Sequence, residues 1–86
     1  MAPKTIYSAA YRRLVIRLRT LREEAGTSQA TLAKGLGWPQ QRLSAVEAGA
    51  RRLDVIEFLQ LTAALGLAPE DAVKLAFPRK RGAAGD

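Results

Sequence analysis

The sequence predicts an all-α domain of five short helices. Three observations carry that expectation. Apolar residues recur at spacings of three and four, as in Tyr11, Leu14, Leu18 and Leu21. No segment shows the alternation of a half-buried strand. Glycines and prolines divide the chain at intervals of one short helix: Gly26, Gly37, Pro39, Gly49, Gly66, Pro69 and Pro78.

The first helix is expected from about Ser8 to Ala25, with Gly26 closing it. Ser28 can N-cap a second helix over 29–36, with Leu32, Ala33 and Leu36 turned inward. Gly37 ends it. Pro39 suits the first turn of a third helix, where a missing N–H costs nothing, and Gly49 closes that helix. Asp54 and Glu57 have the spacing of a capping box and open a fourth helix that ends at Gly66. Its expected inner side is Val55, Phe58, Leu59, Thr62 and Leu65. Pro69, Glu70 and Asp71 start a fifth helix, the proline at its first position and the acids favourable to the helix dipole. Pro78 stops it. The organisation expected is a basic arm over 1–7, one domain over 8–77 and a basic, disordered tail over 78–86.

With 86 residues the chain can build one small core. Hydrophobic residues make up 48% and charged residues 26%, ordinary for a soluble globular protein. Cysteine and histidine are both absent. That removes disulfides, thiolate metal sites, the commonest general base and the commonest metal ligand. The acids are scattered or sit at helix starts, and no phosphate-binding P-loop is present. The expectation is therefore a non-enzyme without metal or cofactor.

Charge gives the first functional direction. Fourteen Lys and Arg against eight Asp and Glu leave +6, and such a balance on a small domain favours a polyanion. The excess is uneven. Lys4, Arg12, Arg13, Arg17, Arg19 and Arg22 precede the first acid, and Arg79, Lys80 and Arg81 close the chain. There is no apolar run of membrane-spanning length and no signal peptide. The expected location is the cytoplasm, at the nucleoid when DNA is bound, with no membrane partner.

The stretch from Gln29 to Val46 is the most specific. Ala33 follows Gln29 by four residues, and Gly37 follows Ala33 by four. Leu43 and Val46 come later on the third helix, and Leu32, Leu36 and Trp38 fill the apolar slots between. A helix-turn-helix requires this order. A small residue lets the second helix cross closely, a glycine admits positive φ in the turn, and two apolar residues anchor the second helix.

Over roughly Leu14 to Val73 the chain resembles the lambda-repressor/Cro-type helix-turn-helix family, also called the xenobiotic-response-element family. SQATLAKGLG resembles the first motif helix and its turn, and WPQQRLSAVEAG the recognition helix. The resemblance implies a compact five-helix lambda-repressor-like fold with residues 39–48 as the recognition helix. Ala33, Gly37, Trp38, Leu43 and Val46 are then the turn and core of the motif. It also implies a structural ion pair between Arg22 and Glu47. Three residues depart from the pattern: Thr31 where an acid is common, Pro39 where Ser or Thr is usual, and Gly35 inside a helix, which costs about 1 kcal/mol relative to alanine.

At about 100° per residue, Leu43 and Val46 fall on one side of the third helix. Gln40, Gln41, Ser44 and Ala45 fall on the other, with Arg42 at one margin and Glu47 at the opposite one. The outward face has no acid. Its amides can hydrogen-bond base edges, and its small residues let the helix sit deep in a major groove. Base contacts are therefore expected from Gln40, Gln41, Ser44 and Ala45. Phosphate contacts are expected from Ser28 and Gln29 at the start of the second helix, and from Arg42, Arg51 and Arg52. In the resembled family, a glutamine at the Gln29 position also braces one at the Gln40 position.

The function implied is a sequence-specific regulator of transcription on double-stranded DNA, a repressor acting as a homodimer on a pseudo-palindromic operator. Leu67, Val73 and Phe77 are candidates for the dimer contact. The alternative is an antitoxin or adaptor of the same fold that also binds a protein partner such as a toxin.

Overall fold

The computed structural model describes residues 8–77. Among them are five helices and no strand: α1 (Ala9–Glu24), α2 (Gln29–Leu36), α3 (Gln40–Glu47), α4 (Val55–Ala64) and α5 (Pro69–Ala76). This is the all-α, lambda-repressor-like arrangement expected. The arm over 1–7 and the tail over 78–86 lie outside the described residues.

Each helix starts where its local chemistry directs. Ser8 caps α1 by accepting from Tyr11 N at 3.1 Å. Ser28 caps α2 by accepting from Thr31 N at 3.0 Å. Its hydroxyl also donates to Thr31 Oγ1 at 3.0 Å, so Thr31 supports the cap without the usual acid. The capping box on α4 is complete: Glu57 N donates to Asp54 Oδ1 at 2.7 Å, and Asp54 N donates to Glu57 Oε1 at 3.0 Å. Pro69 occupies the first turn of α5, followed by Glu70 and Asp71.

One boundary differs. Pro39 is not in the first turn of α3. It is the N-cap, with φ −63° and ψ 145°, and the helix begins at Gln40. The ring fixes φ at a helical value but leaves ψ free, and the chain uses that freedom to leave the turn extended. α3 is thus Gln40–Glu47, where a recognition helix over 39–48 was expected.

The turn between α2 and α3 depends on Gly37, which has φ +74°. That left-handed conformation lets Trp38 N donate back to Ala33 O at 2.9 Å, closing α2. The reversal brings α3 across α2, and Ala33, fully buried, is small enough to admit it.

The core forms around Leu18, Leu32, Ala33, Trp38, Leu43 and Leu61, with Leu14, Leu36, Leu53, Phe58, Leu65 and Leu75 packed against it. Val15, Val46 and Ala72 are also buried. Thr62, fully enclosed, satisfies its hydroxyl by donating to Phe58 O at 2.9 Å. Contacts run from α3 to α1 and α2, and from α4 to α2 and α5. α3 is thereby held on its inner side by two helices.

The inner face of α4 is a second correction. Val55 was expected inside but is 71% exposed, while Leu61, not expected inside, is buried. Leu61 lies three residues after Phe58 and four before Leu65, so all three share one stripe. Val55 sits at the first helical position, to one side of that stripe and beyond the elements α4 packs on.

Candidate nucleic-acid interface

α3 buries Leu43 and Val46 and turns Gln40 and Gln41 to solvent. Ser44 and Ala45 lie one turn further along, half-buried. Gln40, Gln41 and Ser44 line a shallow concavity on the surface. The outward face carries no carboxylate, because Glu47 is drawn to the inner margin.

Glu47 is held there by Arg22 on α1. Arg22 Nε donates to Glu47 Oε2 at 2.7 Å and Arg22 Nη2 to Glu47 Oε1 at 3.0 Å. Both side chains are nearly enclosed, 10% and 6% exposed. Arg22 Nη1 donates to Thr27 O at 2.8 Å, tying the same guanidinium to the α1–α2 loop. The Glu47 hydrogen bond and charge raise the Arg22 pKa above its ordinary value. Burial pushes the Glu47 carboxyl up. Hydrogen bonds from Arg22 and Gln29 and the nearby positive charge outweigh it, leaving Glu47 below the ordinary carboxylate range.

Gln29, at the first turn of α2, joins this network. Gln29 Nε2 donates to Glu47 Oε1 at 2.9 Å, and Gln29 Oε1 accepts from Ser44 Oγ at 2.7 Å. The expected brace from Gln29 to Gln40 is therefore not the one the side chain makes. Ser44 lies one helical turn beyond Gln40 on the same side, and the Glu47 carboxylate is a stronger acceptor for an amide than another amide is. The consequence is a chain of contacts from Thr27 through Arg22, Glu47 and Gln29 to Ser44. It fixes the rotation of α3 while leaving Gln40 exposed. The Ser44 hydroxyl proton is directed at Gln29, which leaves its oxygen as an acceptor.

The arginines are placed differently from one another. The Arg42 guanidinium lies over the Trp38 ring, 4.1 Å from its centroid, and its Nη2 donates to Glu57. Arg51 Nη2 donates to the same Glu57 oxygen at 3.0 Å. Arg52 borders a depression with Tyr11, Leu53, Val55 and Phe77. Ser28 is exposed at the start of α2. No group of His, Cys, Asp or Glu that could hold a metal occurs among the described residues.

Residues 13–75 match a family described as a helix-turn-helix domain. The chain belongs to that family. The matched span covers all of α2, α3 and α4 and most of α1 and α5, so the order read in the sequence and the geometry of the turn are those of a DNA-binding helix-turn-helix domain. Such domains are binding modules and typically not enzymes. No curated protein and no solved structure matches the chain. No described helix of the domain is long and apolar enough to cross a membrane.

Two further residues of the helix-turn-helix domain shape this surface. In the sequence Glu57 carries only the signal of a cap, yet it gathers Arg42 and Arg51. Tyr11 carries only the spacing of an apolar stripe, yet its hydroxyl donates to Arg51 O and accepts from Leu53 N, both at 3.1 Å. It clamps the loop after α3 onto α1. Neither role has a sequence signal, since each depends on how separate elements pack.

Proposed function

We propose that this helix-turn-helix domain is a sequence-specific regulator of transcription, a repressor, that inserts α3 into the major groove of double-stranded DNA. The observation that carries the reading is the outward face of α3. Gln40, Gln41, Ser44 and Ala45 form a surface without acid, and the Gln29–Glu47–Arg22 network removes the one nearby carboxylate from it. Amides can donate and accept together at an adenine edge, and the alanine methyl can meet a thymine methyl. Ser28, Gln29, Arg42, Arg51 and Arg52 flank that face and supply phosphate contacts, which set position and salt dependence.

One eight-residue helix reads only a few base pairs, so the reading includes a homodimer. Two recognition helices about 34 Å apart would read a pseudo-palindromic operator. On α5 and just after it, Val73 and Phe77 are 59% and 77% exposed, whereas Leu67 is half-buried. Exposed apolar side chains of this kind favour a protein contact, and Val73 and Phe77 are the residues proposed for it. The same exposure supports the second reading, an antitoxin or adaptor that meets a different protein there.

Selection of bound duplexes from a random pool, with the mass of the free and bound protein measured alongside, tests the proposal. A two-fold-symmetric consensus bound by two copies is expected. Recovery of no consensus would contradict sequence-specific binding. A stable one-to-one complex with another protein through Val73 and Phe77 would favour the second reading.

A further inference from the structure

Glu57 stands between two arginines that come from opposite ends of the recognition segment. Arg42 belongs to the first turn of α3, and Arg51 to the loop that follows it. Both guanidiniums converge on Glu57 Oε2, while Glu57 Oε1 accepts from Asp54 N. The carboxylate is 13% exposed, and the two arginine side chains, at 29% and 44%, reach solvent more freely. Three charges thus share one site, two positive and one negative, with a net charge of +1.

Both arginines have anchors besides Glu57. The buried Trp38 ring seats the Arg42 guanidinium. The Arg51 backbone is held from both sides, although its guanidinium meets only Glu57: its N–H donates to Ala45 O at 3.2 Å, and its carbonyl accepts from Tyr11 Oη at 3.1 Å. The start of α4 can also form without the charge. The third position of a capping box takes either glutamate or glutamine as acceptor for the N-cap N–H, the carboxylate being the stronger of the two. What a carboxylate adds over an amide at this position is a negative charge directed at two cations beside the α3 face.

We propose that Glu57 is an affinity-limiting residue, an internal competitor that occupies Arg42 and Arg51 and offsets one of their two charges against DNA phosphate. The inference rests on the DNA-binding reading above. A phosphate approaching this edge of α3 meets a site of +1 where the arginines alone would give +2. Overall affinity and its salt dependence are lowered together, and the base-reading face is left untouched. For a domain of high positive charge, this limits retention on DNA of any sequence, whose attraction is electrostatic.

The test uses the full chain and short random-sequence duplex DNA, with the dissociation constant measured across a series of salt concentrations. Glu57→Gln should bind about fivefold tighter near physiological salt, with a salt slope steeper by about one unit. Arg51→Ala should be shallower than wild type by about one unit, and the double variant Arg51→Ala/Glu57→Gln should return to the wild-type slope. A folded Glu57→Gln protein with an unchanged or shallower slope overturns the proposal. If Glu57→Gln alone fails to melt cooperatively, the double variant is compared with Arg51→Ala, and equal slopes overturn it. A wild-type protein with no salt-dependent binding removes the DNA-binding reading itself, a result distinct from the others because it is read before any substitution.

Discussion

Arg22 and Glu47, 25 residues apart, form a two-pronged ion pair inside the domain that ties α1 to α3. The guanidinium continues, in the last turn of α1, the buried stripe that Val15 and Leu18 make apolar. A charge there is stable only because a carboxylate meets it.

Removing one partner should be far worse than removing both. Arg22→Ala leaves Glu47 enclosed without its cation and should cost about 3 kcal/mol in urea unfolding. The double variant Arg22→Met/Glu47→Leu should recover much of that loss, since two apolar side chains replace the pair without leaving a buried charge. Equal destabilisation by the single and double variants would show that packing, and not the charge, matters at this site.

Acid should weaken the fold. The carboxyls of Glu47 and Glu57 both lie below their ordinary value of 4.5 in the folded domain. For Glu57 the hydrogen bond from the Asp54 backbone N–H is the leading cause; burial opposes it, and the Arg42 charge and hydrogen bonds from Arg51 and Arg42 lower it further. Below the ordinary value, the unfolded chain takes up protons that the folded chain resists, so stability rises with pH there. It should be fully present at neutral pH and decline as pH falls from about 4.5 through the lower folded values. Thermal melts between neutral pH and pH 3 check this. In Glu47→Gln the acid decline should be smaller, and a decline as large as wild type would contradict the assignment.

Much of this fold is legible in the sequence because its signals are local. Ser8, Ser28 and Asp54 mark helix starts through contacts three residues away, and Gly37 marks its turn by itself. The acid-free face of α3 follows from helical rotation alone. Less was legible where partners are distant. Leu61 has the right spacing for the core, but only the packing of α4 shows that the stripe passes through it and leaves Val55 outside. Gln29 faces several polar residues of α3, and their order in the sequence cannot say that it pairs with Ser44 and Glu47 and not with Gln40. Glu57 looks complete as a cap, so its second oxygen goes unquestioned until Arg42 and Arg51 are seen on it.

The two glycines of this region should respond in opposite directions. Gly37 has φ +74°, so Gly37→Val introduces strain even though nothing lies within 4 Å of an added Cβ. Its stability should drop by more than about 1 kcal/mol. Gly35 has ordinary helical backbone and the same open surroundings. Gly35→Ala should therefore stabilise α2, by about 0.5–1 kcal/mol. Chemical unfolding of both variants decides, and the same sign for the two would contradict the assigned turn.

If the outward face of α3 reads sequence, as proposed, Gln41 shows it most directly. Gln41 is exposed on that face and has no part in the Gln29 network. Gln41→Ala should fold normally, because an exposed helical position tolerates alanine. The decisive measurement is competition binding of wild type and Gln41→Ala on operators substituted one base pair at a time, with random duplex as reference. The expected result is a loss of about 1–3 kcal/mol on the preferred operator, much less on random DNA, with the lost preference confined to one base pair in each half-site. Equal weakening on both kinds of DNA, or no weakening on either, would contradict it.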